Sequence, residues 1–359
     1  MHRRFWKNVG QGVGILALFT LVGLATLRLT TPPFPVMPGV THRLPELDNR
    51  LMSGWLGNDK VVTGIVDTSA LISTCTVYRE LQEPQEIFDL LDHTRRPTPN
   101  LPKLPKNEDG SDSLRRSSPS PSPDGQWLLY DEWASHNNKI LFRRWRLIHP
   151  DGTGTQILPF PTSAEFLYPH WLTDSSGWIG TDSSVSTGYL TRISSTHLTQ
   201  TPLSLPENLW HLSVVAGGEL VFAPKWRGQP RQIVYKSSSL STTTLVQKHS
   251  LQLPLGTPDL LGYGPSPFEF SRDGRFLIVR AYLPSSDNRF LAWLQQAVPG
   301  RDAGYVFWRI PRDGGSPERL PLPGDAVNFS LSPDGKKILY WRDANEAGSQ
   351  AYLLTLPVR

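Results

Sequence analysis

Ser122-Pro123-Asp124-Gly125-Gln126-Trp127-Leu128-Leu129-Tyr130, Ser271-Arg272-Asp273-Gly274-Arg275-Phe276-Leu277-Ile278-Val279 and Ser332-Pro333-Asp334-Gly335-Lys336-Lys337-Ile338-Leu339-Tyr340 are three copies of one pattern, a tight turn followed by a short apolar strand. Proline presets φ for the second position of a β-turn, aspartate bonds back to the backbone, and glycine accepts φ > 0. Each copy therefore reads as a hairpin turn whose second arm is a buried strand.

Working outward from these copies, degenerate ones fill the gaps. Tyr168-Pro169-His170-Trp171-Leu172-Thr173-Asp174-Ser175-Ser176-Gly177-Trp178-Ile179-Gly180 keeps the order of extended residues, turn and strand. Leu212 to Phe222 keeps it with Gly217-Gly218 in place of Asp-Gly, and Gly54 to Val62 is weaker still. Six copies over roughly 320 residues give a unit of about 50, the length of a four-stranded propeller blade.

The rest of each unit fits two hairpins. After Gln126–Glu132 come Ile140–Ile148, a turn at Pro150-Asp151-Gly152, and Gln156-Ile157-Leu158. Tyr305–Ile310, the turn Arg312-Asp313-Gly314-Gly315 and Glu318-Arg319-Leu320 repeat this, and comparable runs occur at Ser73–Arg79 with Glu86–Leu90, Gly188–Ile193 with His197–Leu205, and Gln232–Ser237 with Thr243–Leu253. The fold expected is all-β, a six-bladed β-propeller over 41–359, with seven blades as the competing count. The sixth unit runs out at Arg359 without a fourth strand. Thr41–Leu47, which belongs to no hairpin of its own, is expected to supply it, with Pro45 placed at a sheet edge where proline is tolerated.

Ser-Pro-Asp-Gly before an apolar strand, then a strand and an Asp-Gly turn, resembles the repeats of TolB-like β-propellers, the WD40-like PD40 family, which also form the non-catalytic propeller domains of certain serine peptidases. The resemblance runs from about 50 to 356 and is strong in units two, five and six. It implies a six-bladed propeller that binds proteins or gates access. It implies no catalysis, because the repeated residues Asp124, Gly125, Asp273, Gly274, Asp334 and Gly335 shape turns.

Residues 1–7 are basic, and 8–28 hold an apolar run from Val9 to Leu27 without a charged side chain. About twenty such residues suffice to cross a bilayer as one helix. Basic residues on the N-terminal flank point to a cytoplasmic tail, a single membrane span and an extracytoplasmic propeller, joined by a Pro-rich linker at 29–40. The rival is a signal peptide cleaved after the small pair Gly23 and Ala25, leaving a secreted or periplasmic protein. Phe5-Trp6-Lys7 follows Arg3-Arg4 too closely for a twin-arginine signal, and no cysteine near the span allows a lipoprotein.

Removing Arg3, Arg4, Lys7 and Arg28 from the 36 basic residues leaves 32, equal to the 32 acidic ones. The basic isoelectric point thus belongs mostly to the N-terminus and speaks against nucleic-acid binding. The single cysteine, Cys75, allows no internal disulfide. Twelve tryptophans are read as wedges between blades rather than a ligand cage.

Two segments break the blade rhythm. The Pro-rich insertion at 94–121, with its alternating prolines, reads as a polyproline II or solvated loop, or as a peptide docking motif. The insertion at 284–304 carries Asp287 as N-cap and Pro299-Gly300 as stop, so a short amphipathic helix is expected over Phe290–Val298. Phe290, Trp293 and Leu294 are its candidate partner surface; packing on its own propeller is the alternative.

No catalytic, cofactor-binding or metal residues are assigned. There is no Gly-x-Ser-x-Gly elbow and no His-x-His or His-Glu-x-x-His spacing. Asp89, Asp92 and His93 match no ligand code and read as a solvated strand end. Gly10, Gly12 and Gly14 lie in the apolar span and are no phosphate loop. Two functions from different classes follow. One is a non-catalytic, membrane-tethered extracytoplasmic scaffold binding an envelope protein, without cofactor. The other is an envelope enzyme acting on glycans or lactones in the propeller funnel, with side chains converging from several blades.

Overall fold

In a computed structural model of the chain, the described residues are 37–65, 82–99, 101, 114–136, 139–159, 167–182, 187–194, 197–205, 209–224, 232–253, 257–258, 268–283, 304–343 and 349–357. They form six antiparallel sheets arranged as blades, so the count is six rather than seven.

The chain enters with β1 (Val40–Arg43), whose partner lies at the opposite end of the sequence. Blade 1 is β2 (Arg50–Leu56), β3 (Lys60–Ile65), β4 (Gln82–Asp89) and β5 (Arg95–Pro97). In blade 2, β6 (Leu114–Arg116) and β7 (Ser120–Pro121) share the first position against β8 (Leu128–His136), followed by β9 (Lys139–Ile148) and β10 (Gln156–Pro159). Blade 3 is β11 (Leu167–Trp171), β12 (Gly177–Asp182), β13 (Thr187–Ile193) and β14 (Leu198–Ser204). Blade 4 is β15 (Leu209–Val215), β16 (Glu219–Pro224), β17 (Gln232–Ser239) and β18 (Thr242–Gln252). Blade 5 again divides its first position, between β19 (Thr257–Pro258) and β20 (Phe268–Phe270), against β21 (Phe276–Leu283), then β22 (Gly304–Pro311) and β23 (Glu318–Arg319). Blade 6 is β24 (Ala326–Leu331), β25 (Lys337–Asp343), β26 (Ser349–Thr355) and, outermost, β1.

The closure takes the N-terminal strand as the missing fourth member: β1 runs antiparallel to β26, with Val40 opposite Thr355 and Arg43 opposite Tyr352. The strand is shorter than the Thr41–Leu47 segment expected to form it. Pro45 starts a 3-10 turn, Pro45–Leu47, because its ring fixes a helical φ and removes a ladder donor. That turn drives Leu44 and Leu47 into the core, where they are 2% and 0% exposed. There they join Trp55, Val61 and Phe88 of blade 1 and Leu339 and Trp341 of blade 6.

The Pro-rich segment 94–121 differs from its reading as a loop. Its ends are strands, Arg95–Pro97 closing blade 1 and Leu114–Arg116 with Ser120–Pro121 opening blade 2. Proline's extended φ suits these outer and inner edge positions, where a missing N–H breaks no ladder. Ser73–Arg79, the span at 8–28 and the helix expected within 284–304 lie outside the described residues. Among the described residues, no helix is long and apolar enough to cross a membrane.

The core lies between blades. Leu129, Trp145 and Leu147 of blade 2 meet Trp171 and Trp178 of blade 3, with the Trp145 and Trp178 rings edge to face at 6.1 Å. Trp145, Trp178, Trp308 and Trp341 are all fully buried; Trp145 and Trp178 wedge between blades 2 and 3, and Trp341 between blades 6 and 1. Between blades 4 and 5 a polar clamp spans the gap. Arg312 donates to both Glu219 oxygens, at 2.9 and 2.7 Å, and to the Tyr235 hydroxyl at 3.1 Å.

The turn-lined mouth as candidate functional site

The turns that join the first and second strands of the blades gather at one mouth of the central channel. They line a cavity of about 540 Å³ bordered by Asn58, Asp124, Asp174, Ala216, Arg272, Asp273 and Asp334. Residues separated by most of the sequence thus meet because each occupies the same place in its blade.

Each full copy of the motif is held by its serine as well as by the residues the sequence pointed to. The Ser122 hydroxyl donates to Asp124 Oδ1 at 2.6 Å and accepts the Trp127 amide at 2.9 Å, while the same Oδ1 accepts the Gln126 amide at 3.0 Å. Ser271 with Asp273 and Ser332 with Asp334 repeat the arrangement. All three serines are buried. One oxygen of each aspartate is therefore committed to its own turn. Gly125, Gly274 and Gly335 have φ of 76°, 70° and 71°. At Gly125 a Cβ would also stand 3.3 Å from the Leu56 carbonyl of blade 1, so the position needs glycine for conformation and for close approach.

Departures from the motif connect neighbouring blades. Asn58 of blade 1 accepts the Asp334 amide of blade 6 at 3.0 Å. Ser175, at φ 59° where the motif has glycine, accepts the Asp124 amide of blade 2 at 3.1 Å. The Ala216 amide, in the Gly-Gly copy, donates to the Arg272 carbonyl of blade 5 at 2.6 Å. The degeneracy that weakened these copies as sequence signals is what lets their turns bond sideways.

Two ionisable side chains near the mouth take no part in the bonds that fix the turns. Glu269, in β20, accepts the Leu331 amide at 3.0 Å and the Ser330 hydroxyl at 3.4 Å, and so caps an unpaired N–H of the innermost strand of blade 6. Burial raises its carboxyl to about 7, with the Leu331 bond, the charge of Arg272 and the Ser330 bond opposing less strongly. Arg272 takes the place that Pro123 and Pro333 hold in the sister turns. Its charge is felt by Glu269 and by Asp124 of blade 2. Burial lowers it to about 10, and its Nη1 is out of solvent without a hydrogen-bond partner among the described residues.

The raised Glu269 carboxyl makes stability pH-dependent in a defined direction. Between its unfolded value of 4.5 and its folded value of about 7, the folded chain holds a proton that the unfolded chain does not. Its contribution is thus full below pH 4.5 and is lost as pH rises to 7, at about 1.4 kcal/mol per pH unit within that window. Glu269→Gln, which still accepts the Leu331 amide, is expected to remove that slope and to be the more stable form at pH 8 in urea titrations. A slope unchanged in the variant would assign it to another group.

Other sequence candidates resolve locally. Asp89 accepts the Leu91 amide, Asp92 accepts the Thr94 amide and hydroxyl, and His93, at φ 57°, bonds Glu46. They secure a turn against the closing segment. Among the described residues, no group of three or more His, Cys, Asp or Glu side chains is placed to hold a metal ion. Phe290, Trp293 and Leu294 lie outside the described residues.

No protein-family model matches the chain, and no curated protein matches it. Similar solved structures include an oligogalacturonate lyase in complex with manganese, at 12% identity, covering 90% of this chain and 97% of that one with a TM-score of 0.47. A putative TolB from Agrobacterium tumefaciens is 17% identical, with 72% and 76% of the chains covered and a TM-score of 0.43. TolB from Acinetobacter baumannii is 14% identical, with 78% and 67% covered and a TM-score of 0.41. The described residues themselves establish the six-bladed ring.

Proposed function

We propose that the chain is a non-catalytic propeller, tethered to the membrane by the segment at 8–28, that binds an envelope protein at the turn-lined mouth. The observation that carries this reading is the mouth itself. Its rim is fixed by serine–aspartate bonds within turns and by bonds between blades, and such a preorganised surface loses little freedom when a partner docks. The cavity, about 540 Å³ and open, falls within the size of natural ligand clefts.

A photo-crosslinking residue placed at Thr173 on the rim is expected to capture an envelope protein in intact cells, whereas one at Ile157 on the outer strand of blade 2 is not. Equal capture at both sites, or none at the rim, would overturn the docking site. The tether is tested separately: the native protein should begin at Met1 and stay with membranes through alkaline washing. An N-terminus near Thr26 on a soluble protein would show a cleaved signal peptide.

One observation favours the second reading, an envelope enzyme acting on glycans or lactones. Glu269, with its carboxyl at about 7 beside Arg272, has the poise of a general acid near neutral pH. Turnover of an oligosaccharide or lactone that is abolished in Glu269→Gln would replace the scaffold reading.

A further inference from the structure

We propose that Arg272 makes the channel mouth a binding site for a carboxylate. The inference rests on the mouth being the docking surface and names the chemistry recognised there.

The turn does not need this arginine. In the sister copies Pro123 and Pro333 occupy the same position, and the bonds that fix the turn come from Ser271, Asp273 and the backbone. The backbone bond from Ala216 uses the carbonyl of residue 272 and would survive any side chain there. A guanidinium nitrogen held out of solvent is costly when burial removes its hydration and, as for Nη1, it gains no acceptor among the described residues. Its charged neighbours, Glu269 and Asp124, act on it through space, yet the Glu269 oxygens are bonded to Leu331 and Ser330, and Asp124 Oδ1 is bonded to Ser122 and Gln126. Arg272 therefore borders a 540 Å³ cavity, and just behind that border its Nη1 has no acceptor among the described residues. A carboxylate entering from the mouth supplies the acceptor, in the planar geometry a guanidinium fork matches.

Surrounding charge narrows the ligand. Asp273 is bonded to Arg275, and Lys337 of blade 6 to Asp59 of blade 1, leaving Asp124, Asp174 and Asp334 around the cavity. A lone multivalent anion such as phosphate would be repelled by that rim. A single carboxylate, from a free small acid or from the C-terminus or acidic side chain of a protein, fits one cation among carboxylates.

The test uses the full chain and three probes: propionate, N-acetyl-tetraalanine with a free C-terminus, and the same peptide as its amide. Saturable binding, read by calorimetry and by the shift of the Arg272 Nε–H resonance, is expected for carboxylate probes, and the amide should bind about ten-fold more weakly or not at all. Arg272→Pro, which restores the sister-turn sequence, should melt at or above the wild-type temperature and lose carboxylate binding at least ten-fold. Arg275→Gln, on the exposed rim, should keep it. Binding of propionate but not of the peptide acid assigns the site to a free small acid, and the reverse assigns it to a protein terminus. A lower melting temperature in Arg272→Pro, or probe binding unchanged by it, would overturn the inference and leave Arg272 structural. Rim crosslinking at Thr173 that persists in Arg272→Pro while wild-type chain binds no carboxylate would defeat this inference alone and leave the docking surface standing.

Discussion

A chain lacking residues 40–47 is expected to lose the cooperative unfolding transition of the whole propeller, not merely of blade 6. The deletion removes the pairings of Val40–Arg43 with Tyr352–Thr355 and empties the sites of Leu44 and Leu47. Each buried leucine alone contributes about 2–5 kcal/mol, against about 5–15 kcal/mol for a typical domain. Further bonds go with them: the Leu44 amide to the Ala351 carbonyl at 2.9 Å and the Trp341 indole to the Leu47 carbonyl at 3.4 Å. Since the leucines pack on both blade 1 and blade 6, their loss opens the ring at its seam. Calorimetry should show a broad or absent transition. Leu47→Ala, a milder change, should keep the fold and lower stability by about 2–5 kcal/mol in urea. A deletion variant that melts like wild type would show that the seam holds without its latch.

The second large effect is expected at Glu132 in β8, which is fully buried and gathers three arginines. Arg116 Nη2 lies 2.7 Å from its Oε1, Arg146 Nε 2.8 Å from the same oxygen, and Arg144 Nε 2.7 Å from Oε2. Burial alone would raise this carboxyl, but the bonds from Arg146, Arg116 and Arg144 outweigh it and hold it at about 2. Glu132→Leu leaves three cations facing an apolar side chain, and a stability loss of about 3–5 kcal/mol is expected. Arg144→Ala, at the more exposed end, should lose about 1 kcal/mol or less. Because the folded value lies below 4.5, the stabilisation is complete above pH 4.5 and disappears as pH falls toward 2, opposite in sign to Glu269. A Glu132→Leu chain as stable as wild type at pH 7, or equally acid-sensitive, would refute the assignment.

The turns were legible because their requirements are local: proline for φ, aspartate for the back-bond, glycine for φ > 0. From them came the blades and the need for a borrowed strand. What escaped was non-local or masked by composition. Pro97 and Pro121 spoke for a loop, yet the extended backbone that proline favours is also that of an edge strand, and only pairing distinguishes the two. Pro45 was placed in the closing strand although its fixed φ could as well start a turn, which is what it does. The Ser122 and Ser175 hydroxyls look alike in the sequence, and only the blade arrangement gives the first its own turn and the second its neighbour's. Two signals were present without being conclusive: Arg272 where sister turns have proline, and Arg143-Arg144 with Arg146 in a strand opposite Asp131-Glu132. The second acquired its role only from pairing across strands, and the first only from its place at the mouth.

The closure also sets a timetable for folding. Among the described strands β1 is the first to be synthesised and the last to find its partner, since Arg43 meets Tyr352 only after the roughly 300 residues between them have been made. At cellular elongation rates of about 5–20 residues per second, the roughly 300 intervening residues take on the order of 15–60 s. Throughout that interval Leu44 and Leu47 have no cavity to enter, and blades 2 to 5 can pair internally while the ring stays open. Closure thus waits for β26, and a stall before Tyr352 would leave Leu44 and Leu47 without their core site.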